Sequence, residues 1–298
     1  MSKNGIYFLV ALFLLKAGYS YSEGLKDEVK GVGFMTKEEE KEYYCSNHME
    51  DLKTEMGKED FRKALYETLP SIKGFIPEEY KGENKREARI EFMKMRNKRQ
   101  DTKMLILCTN RISEKDKLDL VMEDIYNACK MAPDIPYINI YYFGLMRLYI
   151  DEGKILKRVL EESSSKRAED ECFEKSITLM LAYLSYGSRD IGDKLIDIFD
   201  RDRSNTFRLW ALEAFIQGYS DYYTKEELMP YIKKLMKEPY FTICKACDVV
   251  TGTECIGKMK SYPFRSALKP LLIKYNIKFE YIQLDRCMIG GVPVLVDE

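Results

Sequence analysis

A single histidine and a single tryptophan stand in a chain of 298 residues that also holds only 9 prolines and 17 glycines. Each scarcity excludes something. With His48 alone, no metal site can draw on several imidazoles, and a Ser-His-Asp or Cys-His catalytic arrangement has one place to be. The few Pro and Gly leave few obligatory breaks, which favours helices over turn-rich β architectures. Charge of one sign is also missing: 48 Lys and Arg balance 49 Asp and Glu, for a net charge of −1. The chain as a whole therefore gives neither nucleic acid nor a general membrane surface an electrostatic reason to bind. No Asn-x-Ser/Thr sequon is present. Beyond the N-terminus, no apolar run approaches the roughly 20 residues of a membrane-spanning helix.

What is present begins with that N-terminus. Lys3 precedes an uninterrupted apolar run from Ile6 to Leu15, then Lys16 and small or polar residues through Ser22. This is the layout of a secretory signal peptide over 1–22, with a small-x-small cleavage site at Ser20-Tyr21-Ser22. The expectation is an exported protein of the periplasm, cell envelope or medium. Eight cysteines then read as members of an oxidising compartment. Cys45, Cys108, Cys129 and Cys172 are spread singly through helical patterns, where a free cysteine acts as a small hydrophobe. Cys244, Cys247, Cys255 and Cys287 cluster toward the end and are the expected disulfide formers.

The composition is 45% hydrophobic, ample for a core, and the periodicity predicts an all-α chain. An irregular helical region is expected over 23–165. Thr36 with Glu39 forms a capping box opening a helix to Met49. Helical patterns follow at 57–68 and 85–99, and Ser113 caps another to Met131 carrying Leu118, Val121, Met122, Ile125 and Cys129 on one face. The aromatic run Tyr137–Ile150 suits a buried helix or a strand, with length favouring the helix. The charged, serine-rich stretch Glu161–Asp170 marks a domain boundary or exposed turn.

From Cys172 the pattern becomes regular, with helices expected at 172–186, 190–200, 205–218, 225–237 and 261–275. Gly187 and Gly218, 31 residues apart, are placed as C-cap glycines, and Asp190 and Asp221 recur at the same interval. Recurrence of helix pairs every thirty to forty residues or so is the signature of a solenoid. Phe207-Arg208-Leu209-Trp210-Ala211-Leu212-Glu213-Ala214-Phe215 resembles the inner helix of a HEAT-type repeat, and Tyr262-Pro263-Phe264-Arg265-Ser266-Ala267-Leu268 resembles another copy. Leu228–Met236 with Glu238-Pro239-Tyr240 is similar to the outer helix and its following turn. The resemblance covers about 172–275 within an expected repeat region over 166–275, and is broken by a cysteine-containing insertion at 241–260. A C-terminal appendage over 276–298 carries two candidate short strands, Lys278–Leu284 and Val292–Val296.

Candidate chemistry is thin. Cys45-x-x-His48 places a thiol and an imidazole on one helical face, but the preferred reading is an exposed histidine beside a structural cysteine. Cys244-x-x-Cys247 with Cys255 and Cys287 has the ligand count of a tetrahedral zinc site but no second Cys-x-x-Cys, so disulfides are preferred. Gly252 to Lys258 matches the first seven positions of a P-loop, but Met259 stands where Ser or Thr should hold magnesium. Acidic pairs such as Asp200/Asp202 and Glu226/Glu227 more simply offset helix dipoles. No catalytic residue, metal or cofactor is assigned. The HEAT resemblance implies a non-enzymatic scaffold for a protein or peptide partner. Arg208 and Arg265 are its expected contact residues, joined by Arg89, Arg96, Lys98 and Arg99 of the basic 81–103 segment. The alternatives are a carboxylate-based hydrolase or enzyme-accessory domain with a cleft between the halves, and a purely structural envelope protein.

Overall fold

The computed structural model describes residues 36–46, 55–73, 85–133, 140–184, 186–239, 241–243, 259–282 and 292–296. Among these residues the chain is all-α apart from two short pairs of antiparallel strands. The helices are α1 (Lys37–Ser46), α2 (Lys58–Glu67), α3 (Lys85–Cys108), α4 (Glu114–Met131), α5 (Ile140–Tyr149), α6 (Glu152–Ser163), α7 (Glu171–Tyr183), α8 (Arg189–Arg201), α9 (Asn205–Gly218), α10 (Lys225–Met236) and α11 (Pro263–Lys274). The strands are β1 (Phe241–Ile243), β2 (Met259–Ser261), β3 (Phe279–Ile282) and β4 (Val292–Leu295).

Most helix starts are written locally. Thr36 and Glu39 exchange both bonds of a capping box, the Thr36 amide donating at 2.6 Å and the Glu39 amide at 3.2 Å. Ser113 accepts from the Asp116 amide, Asp170 from Phe173, Ser188 from Asp190 and Ser204 from Phe207. Thr224 and Glu227 repeat the box at α10. Helix α6 is not among the expected helices, although the polar run Asp151–Lys154 marks its start. Asp151 supplies its cap, and Ile155 and Val159 turn inward. The aromatic run before it is helical, as its length favours.

The C-cap expectation is corrected. Gly187 lies beyond the Leu184 cap of α7, Gly218 is still helical, and neither has a positive φ. Closeness of approach matters instead at Gly192 inside α8, where a Cβ would stand 2.5 Å from the Tyr223 hydroxyl.

One core runs without interruption from Leu107 to Ile277, and a smaller cluster gathers Phe61, Leu65, Leu105, Ile106, Ile112 and Leu120. The serine-rich segment 161–170 is a turn within that continuous core, holding a short 3-10 helix over Lys166–Glu169. In the second half, helices pack in two layers. Helix α9 lies between α7 and α11 and also against α8. Helix α8 meets α10 through the Phe199 and Tyr231 rings, 6.0 Å apart, and through Lys234 to Asp200 at 2.7 Å. Strands β1 and β2 pair with Thr242 opposite Lys260, so the insertion leaves and re-enters at one point and α11 resumes the stack. Strands β3 and β4 pair with Phe279 opposite Leu295, and β4 packs on α10 and α11.

Successive layers are stapled by tyrosine hydroxyls that satisfy turn carbonyls. Tyr219 donates to Tyr186 O at 2.7 Å, and Tyr223 to Arg189 O and to Asp193 Oδ1 at 2.7 Å. One layer on, Tyr275 donates to Ser220 O and Tyr223 O, joined by Lys274 on Ser220 O at 2.9 Å. In the first half Tyr149 donates to Lys41 O and Tyr142 to Lys103 O. Each bond fills an acceptor at or near a helix end that the helix itself cannot satisfy, or adds to one inside it. Buried Lys117 does likewise for Leu107 O at 2.6 Å near the end of α3, and burial pushes its pKa down.

Among the described residues the bridged pairs are Cys45–Cys108 and Cys129–Cys172, with Cα separations of 5.7 and 5.5 Å, whereas the expected formers Cys244, Cys247, Cys255 and Cys287 lie outside the described residues. The four cysteines read as lone core hydrophobes thus meet through the tertiary fold. The first pair ties α1 to the end of α3, and the second ties α4 to the start of α7. Loops of 63 and 43 residues give a chain-entropy stabilisation of about 4 kcal/mol each as an upper figure.

Two outcomes test this packing. Alkylation of the unreduced protein should leave Cys45, Cys108, Cys129 and Cys172 unlabelled in peptide mass spectra, and reduction should lower Tm; labelling of any of the four would refute the pairing. Gly192→Ala, which in an open helix would stabilise by up to about 1 kcal/mol, should here lower thermal stability by about 1–3 kcal/mol. Tyr223→Phe in the same background should recover part of the loss by removing the clashing hydroxyl.

Candidate functional site

The expected contact arginines divide sharply. Arg208 is buried: its Nε donates to Phe199 O at 2.9 Å, its NH1 to Asn205 Oδ1 at 3.2 Å, and its NH2 pairs with Glu238. Its guanidinium lies 4.7 Å from the Phe264 ring. Arg99 is buried too, with NH1 donating to Leu65 O at 2.6 Å and to Thr68, and NH2 on Asp124. Neither can form a contact surface, and both tie helices together. Arg265 is half-buried over the Tyr262 ring at 4.5 Å, and its Nε has no hydrogen-bond partner among the described residues. Arg96 and Lys98 are exposed on α3, Lys98 pairing with Glu67 at 3.4 Å. Arg89 lies on α3, outside the described side chains. His48, Cys244, Cys247, Cys255, Cys287 and the glycine-lysine run 252–258 also fall outside the described residues.

The acidic pairs have structural employment. Asp202 pairs with Lys175 and receives the Ser204 amide at 2.6 Å, and Asp200 pairs with Lys234. Glu227 closes its capping box and binds Arg189 at 2.6 Å, contacts that hold its carboxyl below the usual range. Cys129, Asp170 and Cys172 bring three potential ligand atoms together, but both sulfurs are bridged and Asp170 caps α7 while pairing with Lys130.

A different surface emerges on α9. At 100° per residue, Phe207, Arg208, Ala211, Ala214 and Phe215 turn inward and are buried. The opposite stripe carries Leu209, Trp210, Glu213 and Ile216, all half-buried, with exposed Gln217 at its edge. Because α7 and α11 flank α9, this stripe is the middle of a surface shared by three helices. Trp210 is the chain's one tryptophan. Desolvation raises the Glu213 pKa above its ordinary 4.5, and the carboxylate has no hydrogen bond or ion pair among the described residues. Nearby Tyr183 on α7 is pushed upward by burial and by the Glu213 charge.

An apolar strip of Leu, Trp and Ile around one incompletely satisfied carboxylate is suited to binding. The aromatic supplies rigid contact area and the carboxylate an unfilled acceptor. Tyr183, the titratable neighbour of Glu213, is held in the neutral phenol form by burial. A shallow hollow of about 480 Å³ on α6 is lined by Gly153, Leu156, Lys157, Leu160 and Glu161. The chain matches no protein-family model, no curated protein and no solved structure.

The α9 stripe lies within the segment Phe207–Phe215 and just beyond it, where the HEAT resemblance singles out Arg208 instead. The usable signal was helical phase: Arg208 shares its side with Phe207, Ala211 and Phe215.

The raised Glu213 pKa fixes a pH dependence. Its stabilising neutral form is fully present below the unfolded pKa, and that contribution is lost as pH rises through the higher folded pKa. Glu213→Gln should therefore raise Tm at neutral pH and change it little in acid. Trp210 fluorescence should titrate with a midpoint above 4.5, the ordinary carboxyl value, and the transition should vanish in Glu213→Gln. An unchanged titration in that variant would remove Glu213 from the account.

Proposed function

We propose that this chain is an exported, non-enzymatic binding scaffold that recognises a protein or peptide partner through its stacked helices. The observation that carries the reading is the α9 stripe, where the sole tryptophan lies half-buried beside a carboxylate without a partner among the described residues. Tyrosine staples and the buried Arg208 fix the helices around it, so ordering the surface costs little when a partner arrives. The resemblance of about 172–275 to HEAT-type repeats points the same way, since stacked helix pairs make extended binding surfaces. Export is supported by the N-terminal apolar run and by two bridged cysteine pairs, which suit an oxidising compartment. No described helix is long and apolar enough to cross a membrane.

Replacing Gln217 by a photo-crosslinking residue places a probe at the edge of the stripe. In the native host it should give one saturable adduct in the exported fraction, lost with Trp210→Ala while the circular dichroism of that variant stays unchanged. Purified partner should shift Trp210 emission on titration. Absence of any adduct above background, or an adduct indifferent to Trp210→Ala, would sink the reading.

A further inference from the structure

We propose that the outward face of the first half of α3 docks on an anionic lipid surface. Helix α3 spans Lys85–Cys108, about 36 Å at 1.5 Å per residue. Its second half is core: Arg99, Thr102, Leu105, Ile106 and Leu107 are buried. Its first half is not. Phe92 and Met95 are half-buried on the side of Arg99 and Thr102, whereas Ile90, Met93, Lys94 and Asn97 on the opposite side are exposed, as is Arg96 on its flank. Ile90 keeps 47% and Met93 43% of their surface in solvent, high values for aliphatic side chains three residues apart on one face.

The setting of this pair selects the partner. Over this part of the helix, residues 85–101 carry Lys85, Arg86, Arg89, Lys94, Arg96 and Lys98, besides the buried Arg99, against Glu87, Glu91 and Asp101, in a chain whose net charge is −1. Neither Lys94 nor Arg96 has an ion-pair partner among the described residues. Lys98 reaches Glu67 at 3.4 Å, which brings the end of α2 alongside, and there Tyr66 is 68% exposed. Two aliphatic side chains and long cations that can bend back to phosphates make up an interfacial face. A lipid surface takes up such a face without a matching groove, which a protein partner would have to supply. Anionic headgroups complement the cations, with an attraction near fivefold in partition per Lys or Arg at the surface. The contact lies along the interface, since no described helix can span a membrane.

This surface is separate from the α9 stripe, so either can fail alone. The test is flotation of the full chain with vesicles of phosphatidylcholine, and of phosphatidylcholine containing about one third phosphatidylglycerol. The wild-type chain should float preferentially with the anionic vesicles, and raised salt should weaken that preference. Lys94→Glu with Arg96→Glu should cut partition at least tenfold. Ile90→Ser with Met93→Ser should cut it severalfold, with Tm unchanged because all four positions are exposed. Binding by the N-terminal apolar run would be equal in all variants and indifferent to lipid charge, and that result would overturn the proposal. So would an absence of flotation, or capture of an acidic protein lost in the same variants without any lipid binding.

Discussion

The guanidinium of Arg208 holds the second half of the molecule together. It reaches the carbonyl of Phe199 near the end of α8, the side chain of Asn205 at the start of α9, Glu238 after α10, and the Phe264 ring of α11. Four successive elements thereby converge on one buried cation. Such a charge is tolerable only when its donors find acceptors, and truncating one partner of a buried pair typically costs about 3–5 kcal/mol. Arg99 performs the corresponding task in the first half, where Leu65 O, Thr68 and Asp124 bring α2, its following turn and α4 to one place on α3. Lys103 adds a second cation to Asp124 at 3.5 Å.

Between these anchors the tyrosines set the spacing. A phenol combines a large apolar ring, which packs into the core, with one donor at its end, which reaches a turn carbonyl. Tyr219 and Tyr223 bind the turn before and the first residues of α8, and Tyr275 binds the turn before α10. The close approach of Tyr223 is possible because residue 192 has no side chain. Rigidity shapes the α9 surface: a helix held on both flanks presents Leu209, Trp210, Glu213 and Ile216 in one fixed arrangement, and burial there raises the Glu213 pKa.

Much of this was legible in the linear chain. Thr36 with Glu39, Ser113 before Glu114, and the apolar spacing from Leu118 to Cys129 fix helix starts and inward faces by bonds that close within one turn. The regular helices after Cys172 follow from the same local rules, and both C-terminal strands fall within their expected segments. The α9 stripe is partly legible, because Leu209, Trp210, Glu213 and Ile216 share a helical phase opposite Phe207 and Ala211. Failures arose where meaning depended on distance. Cys45 and Cys108, or Cys129 and Cys172, carry no mark of each other in the sequence. The β1–β2 pair was equally silent, since three-residue strands have too few positions to show alternation.

The sequence by itself determined the all-α class, most helix boundaries and the inward faces, because capping and amphipathic spacing are settled among residues one to four positions apart. Only the tertiary structure decided which cysteines meet, that Arg208 and Arg99 are buried rather than exposed, and that the accessible side of α9 carries Trp210 and Glu213. Those outcomes depend on which helices become neighbours. A cation reads alike in the chain whether it faces water or three carbonyls, and the difference appears only when packing removes the water.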